Sequence, residues 1–173
     1  MKHILTTERL LLREFNTSDA DFILKLLNSA GWLRFIGDRN VKTKADAVNY
    51  INNIFIAGYQ KNGFGFWMVE LKENQLPIGM CGITKRDALE GIDIGFAFSP
   101  EFNGKGYGYE IASATLQYAF HQLNIPFILA ITNPDNVRSI QLVEKIGLQF
   151  QGTVKLTADG MDLNLYRIDN NTN

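Results

Sequence analysis

Hydrophobic residues change period along this chain, and the changes divide it into elements. Glu8 to Phe15 alternates loosely and carries Leu10, Leu11 and Leu12, which predicts a first strand with one buried face. Ser18 and Asp21 stand at capping-box spacing, and Phe22, Ile23, Leu26 and Leu27 then recur at helical spacing, so a first helix is expected from there. Thr43 and Asp46 repeat the start signal. Behind them Ala47, Tyr50, Ile51, Ile54, Phe55 and Gly58 form one apolar face of a second helix. From Phe64 the period shortens to that of strands. Phe64 to Leu71 and Leu76 to Thr84 are β-rich runs joined by Lys72, Glu73, Asn74 and Gln75, a polar link of hairpin length. Ile92 to Ser99 is a third apolar run with Asp93 as its one charge, and the three together predict an antiparallel meander.

Gly106 to Leu123 returns to helical spacing, with Ala112, Leu116, Ala119, Phe120 and Leu123 on one face. Phe127 to Thr132 is fully apolar, as in a strand covered on both faces. Asn136 to Ile146 reads as a helix stopped by Gly147, and two closing strands, Gln149 to Leu156 and Met161 to Arg167, flank a turn at Asp159-Gly160. This order predicts an α+β fold: a mixed, mostly antiparallel sheet of about seven strands with about four helices on its faces. Without a repeat or linker, residues 1–168 are expected to form one domain, followed by a polar tail, 169–173.

Composition narrows the function. Of 173 residues, 17 are Lys or Arg and 18 are Asp or Glu, so the formal charge is -1 and the basic excess of a nucleic-acid binder is missing. A single cysteine, Cys81, excludes an intramolecular disulfide and a thiolate metal cluster, and no metal is expected. Charges interrupt the first fifteen residues every few positions, which argues against a membrane span or secretion signal and makes the expected location cytoplasmic.

The segment from Ser99 to Glu110 carries the most chemistry. Gly104, Gly106 and Gly108 alternate where a strand gives way to a helix, a pattern that lets backbone N–H groups and the helix terminus converge on an anion, with Lys105 alongside. Tyr109 occupies the third glycine position of a dinucleotide fingerprint, and Gly106 occupies the Ser/Thr position of a triphosphate loop, so neither of those motifs is present. A glycine-rich turn that merely ends a strand stays open as the other reading.

Asn103-Gly104-Lys105-Gly106-Tyr107-Gly108 resembles the pyrophosphate-binding signature of the GNAT N-acetyltransferases, with Asn103 where that family usually has Gln or Arg. Three further segments are similar to the branch containing the ribosomal-protein N-terminal alanine acetyltransferases: Thr7-Glu8-Arg9-Leu10 with Leu12 and Arg13, Asp93-Ile94-Gly95-Phe96, and Asn136 with Ser139, Val143, Glu144, Lys145, Gly147 and Leu148. The resemblance implies acetyl-CoA as cosubstrate, its pyrophosphate held by Asn103, Gly104, Lys105, Gly106, Tyr107, Gly108 and Tyr109. It implies a pantetheine arm lying along Phe96, Ala97 and Phe98, with the Phe96 N–H donated to the thioester carbonyl. It also gives Ser139 as donor to the leaving sulfur, since Val143 stands where many members have Tyr, and Asn136 as a cofactor contact; both residues could instead simply cap their helix.

The acceptor implied is a primary amine, at branch level a protein N-terminus, with polyamines, aminoglycosides and other small amines as alternatives and a non-catalytic CoA-binding module as the rival class. An α-amine with pKa ~7.8 is roughly a tenth neutral at pH 7, against a few parts in ten thousand for a lysine amine near ~10.4. A modest base therefore suffices, and Asp93 is the candidate, directly or through water, unless it is a strand residue facing solvent. Glu14, Trp32, Phe35 and Tyr50 are candidates for the acceptor site, with a core role open for the three aromatics. The first two helices and the loop from Asn28 to Lys42 are expected to shape that site. A monomer or a homodimer is expected. His3 and His121 read as surface residues and Cys81 as a small core residue.

Overall fold

The computed structural model describes residues 2–170. Its strands are β1 (His3–Thr6), β2 (Leu10–Arg13), β3 (Phe66–Leu71), β4 (Pro77–Lys85), β5 (Ile92–Phe98), β6 (Phe127–Thr132), β7 (Gln149–Val154) and β8 (Leu163–Asp169). They form one eight-stranded sheet in the order β1-β2-β3-β4-β5-β6-β8-β7, in which β5 and β6 are the parallel neighbours. The strand beyond the expected seven is β1. Its four residues carry no alternation of their own, and it forms by pairing antiparallel with β2. The helices are α1 (Ala20–Leu27), α2 (Ala30–Phe35), α3 (Lys44–Tyr50), α4 (Ala57–Asn62), α5 (Tyr107–His121) and α6 (Val137–Lys145). Here α2 is an addition, lying inside the stretch read as the loop Asn28 to Lys42.

Local chemistry sets several boundaries. The capping box at the first helical segment is Asn16 with Asp19, two residues before the expected Ser18, and it starts a short 3-10 turn, Thr17–Asp19, that runs into α1. Thr43 and Asp46 form the capping box of α3 as expected. From α3 the helix continues through a π-helical stretch, Ile51–Ile56, into α4 and stops at Gly63 in the left-handed region. The polar tail was expected from Asp169, yet β8 includes that residue. The Asn170 backbone N–H bonds the Pro126 carbonyl at 2.8 Å; residues 171–173 lie outside those described. Among the described residues, no helix is long and apolar enough to cross a membrane.

Strand alternation feeds two cores. Trp67 and Val69 face one side of the sheet with Ile94, Ile128, and Ile111 and Leu116 of α5. Met68 and Met80 face the other side, packed with Ile23 and Leu26 of α1 and Ile51 and Phe55 of the π stretch. A bulge at Ile78 breaks the alternation, because Val69 pairs with Gly79 while Glu70 pairs with Pro77. Between the sheet and α1 lies a buried ionic cluster: Arg13 reaches Asp19 at 2.8 Å and Glu70 at 2.6 Å. These two carboxylates hold the guanidinium protonated far above its usual range, against the opposing effect of burial.

The feature that positions the site is a gap in the sheet. β5 and β6 pair over Ile92↔Ile128 and Asp93↔Leu129 only, although β5 continues along β4 as far as Phe98. The two strands diverge beyond Asp93, so the β5 edge from Gly95 to Phe98 faces a cleft.

Candidate active site

At one end of that cleft the chain turns from β5 into α5 through the glycine loop. Gly104 and Gly106 have φ of 74° and 81°, the left-handed region that residues with a Cβ enter at a cost, and Gly106 is the N-cap of α5. No side chain caps this helix, and the backbone N–H groups from Gly104 to Tyr109 find no acceptor among the described residues. Open N–H groups at the positive end of a fifteen-residue helix fit a pyrophosphate. The loop is braced from outside. Glu110 accepts from the Thr7 hydroxyl at 2.6 Å, the Arg9 N–H at 2.9 Å and the Arg9 Nε at 2.7 Å. Burial raises the Glu110 pKa, but these bonds and the Arg9 charge together outweigh it and hold the carboxyl below its ordinary value. Arg9 also donates to the Lys105 carbonyl at 3.1 Å and stacks 4.5 Å from the Tyr107 ring centre. Lys105 lies 5.2 Å from the Phe102 ring centre and Lys145 of α6 4.7 Å from that of Tyr109, so both cations border the loop. Asn103 is exposed at the end of the turn preceding the loop. Gly106→Val is expected to cost about 1–2 kcal/mol in the denaturant midpoint through its φ. It should also weaken coenzyme A binding at least tenfold in calorimetric titration.

The cleft opens into a cavity of about 440 Å³. Asp93 lines it and is 1% exposed, so the strand residue expected either as base or as a solvent-facing group is buried. Burial pushes its carboxyl up to about 6, while Arg86, donating from Nε to both oxygens at 3.0 and 3.1 Å, holds it down. The cavity also brings in Phe96 and Ala97 of β5, with Asn136, Ser139 and Val143 of the α6 segment. Phe98 turns away, packing against the core and beside Gly108. Asn136 caps α6, accepting the Ser139 N–H at 3.2 Å. The Ser139 hydroxyl, half-buried on the cavity wall, makes no hydrogen bond among the described residues.

Of the four acceptor-site candidates, Trp32, Phe35 and Tyr50 line this cavity and Glu14 does not. The Glu14 backbone is instead engaged with Lys2 and with the Arg13 guanidinium. Sequence reading missed Arg39, Arg86 and Thr132, which also line it. For Arg86 a signal existed: antiparallel pairing of Thr84 with Asp93 brings the end of β4 beside Asp93, which a hairpin register would have revealed. Arg39 had none, since its place depends on how α2 packs. Cys81 is fully buried beside the Thr115 hydroxyl, and burial pushes its thiol up to about 12. Among the described residues no group of His, Cys, Asp and Glu is arranged to hold a metal.

The acetyltransferase (GNAT) domain family matches residues 9–149. This chain belongs to the GNAT acetyltransferases. Its relatives include the uncharacterized N-acetyltransferase YnaD of Bacillus subtilis, 30% identical over 151 residues, covering 87% of this chain and 85% of that protein. The fold is shared with RimL, a ribosomal-protein α-N-acetyltransferase solved in complex with coenzyme A, at a TM-score of 0.82 and 17% identity over 97% of this chain and 98% of that one. It is also shared with a chimera built on the Vibrio cholerae spermidine N-acetyltransferase SpeG, at a TM-score of 0.76 and 18% identity over 94% and 96% of the two chains. This GNAT enzyme is thus an acetyl-CoA-dependent N-acetyltransferase, and the open N–H groups at the glycine loop fit the pyrophosphate of that cosubstrate.

Proposed function

We propose that the acceptor is an α-amino group, with the N-terminus of a protein as its branch-level form, and that Asp93 is the base. The observation that carries this reading is the buried Asp93 carboxyl, raised to about 6 on the cavity wall. Moving a proton to it from an α-ammonium of pKa ~7.8 is uphill by ~2.5 kcal/mol, whereas from a lysine- or polyamine-type ammonium near ~10.4 it is uphill by ~6 kcal/mol. The first is compatible with rapid turnover. The second would consume much of the available barrier.

Acetyl-CoA supplies an activated acyl carbon and a thiolate leaving group. Asp93 first takes the ammonium proton and passes it to solvent through the cavity; ionised again, it takes the second proton, which the amine nitrogen loses as the C–N bond forms and the C–S bond breaks. The free β5 edge offers the Phe96 N–H to the carbonyl oxygen as negative charge builds there. Ser139, whose hydroxyl has no other partner among the described residues, gives its proton to the departing sulfur and recovers one from solvent. Asn136 holds the first turn of α6 so that this hydroxyl faces the cleft. Residues 1–168 constitute the catalytic domain in this reading.

Thiol release from acetyl-CoA against N-terminal peptides, polyamines and aminoglycosides tests the proposal. Turnover is expected with α-amines, and activity confined to polyamines or aminoglycosides would reject it. The pH profile of kcat with an α-amine should rise through an apparent pKa near 6. Arg86→Met should move that limb upward, because the guanidinium that holds the Asp93 carboxyl down is gone.

A further inference from the structure

The acceptor end of the cavity holds hydrogen-bond donors in excess. Arg39 is exposed on its wall and pairs with no carboxylate among the described residues. Arg86 spends only Nε on Asp93, and its two terminal nitrogens make no hydrogen bond among the described residues. Trp32 is 6% exposed, lines the cavity, and has an indole N–H buried without an acceptor. Tyr50 lines the same cavity as both arginines. Among the described residues Asp93 is the single carboxylate on the wall, and it is already paired. The cations do not serve the cosubstrate's phosphates, because no residue from Gly104 to Tyr109 lines this cavity.

Donors without acceptors need a ligand that supplies acceptors. A polyamine brings only further donors and positive charge, so it would face two guanidinium groups without supplying an acceptor. A carboxylate supplies acceptors to the open guanidinium nitrogens and is the planar partner that guanidinium groups bind best. The Asp93–Arg86 pair also presents a negative and a positive group side by side. That arrangement is complementary to an ammonium and a carboxylate a few bonds apart on one ligand. Trp32, Phe35 and Phe66 give the remaining wall an aromatic lining suited to an apolar body.

We infer that the acceptor amine carries a carboxylate close to its amino group, held by Arg39 and the free nitrogens of Arg86 while the amine meets Asp93. This rests on the α-amine reading above. Two sources share the chemistry, a free α-amino acid and a peptide N-terminus whose first residues include an acidic side chain.

The test compares kcat/KM, each corrected for the fraction of amine that is neutral at the assay pH, for L-phenylalanine with L-phenylalaninamide, and for Glu-containing with Gln-containing N-terminal dipeptide amides such as Ala-Glu and Ala-Gln. The carboxylate member of at least one pair is expected to be favoured at least tenfold, mainly through KM, and the pair that responds identifies the source. Arg39→Met should narrow that ratio to within about threefold, and Arg39→Lys should restore part of it. Arg34→Met, which removes a nearby charge that does not line the cavity, should keep the ratio. As a readout independent of turnover, N-acetyl-L-phenylalanine should bind the wild type more tightly than its amide does and lose that advantage in Arg39→Met. Equal kcat/KM within both pairs, or a ratio unchanged by Arg39→Met, overturns the carboxylate inference and leaves the α-amine reading intact. Failure to acetylate any α-amine, alongside transfer to spermidine, overturns both.

Discussion

Replacing Asp93 with Asn is expected to lower kcat at least 100-fold, to leave the KM for acetyl-CoA near its wild-type value, and to make the folded protein more stable at alkaline pH. The rate loss is the size expected when a positioned base is removed. Sparing of the acetyl-CoA KM follows because Asp93 lines a cavity to which no residue from Gly104 to Tyr109 contributes. The stability gain has the opposite sign from most core substitutions. The Asp93 carboxyl is raised from 3.8 to about 6 by burial, so the folded chain holds its proton more tightly than the unfolded chain does. Wild-type stability from this group is therefore complete below pH ~4 and is lost as pH rises through about 6, a cost on the order of 3 kcal/mol by pH 8. Asparagine does not titrate. The stability difference between variant and wild type should thus widen by roughly that amount between pH 4 and pH 8 in urea denaturation, the variant being favoured at the alkaline end. A flat difference across that range would show that Asp93 is not held near a pKa of 6.

Arg13→Met should produce the largest loss of stability, about 3–5 kcal/mol, seen as a fall in Tm of roughly 10 °C. The methionine fills the space, but it strands Asp19 and Glu70, two buried carboxylates that share the one guanidinium. The cost is that of uncompensated buried charge, not of lost packing. Adding Glu70→Gln should accordingly recover at least ~1 kcal/mol, whereas a double variant no more stable than Arg13→Met would point to packing as the cause.

Features built from neighbouring residues were legible in the sequence. The glycine spacing from Gly104 to Gly108 announced the left-handed turn that opens α5, Thr43 and Asp46 announced α3, and the lone charge in an apolar run singled out Asp93. The first cap was misplaced because Asn16, Ser18, Asp19 and Asp21 crowd together with similar chemistry. Asn16 and Asp19 form the box, and Asp19 also binds Arg13. What was illegible depends on distant partners. β1 exists as a strand because β2 is beside it, and α2 is a short helix whose buried Trp32 packs under α1 and α3. The excess of cationic donors in the cavity is a property of the loop after α2 meeting the end of β4, and neither stretch carries a pattern that reports the other.

The bracing of the glycine loop has a consequence for how this enzyme becomes competent. Glu110 is tied to Arg9 across 101 residues of chain, so the open amides from Gly104 to Tyr109, proposed to hold the pyrophosphate, are steadied by the turn between the first two strands. The cosubstrate site is therefore complete only after the amino-terminal hairpin has docked on α5, and each event raises the population of the other. Acetyl-CoA should slow amide exchange in β1 and β2, which it need not touch, and trimming that hairpin should loosen cosubstrate binding from a distance.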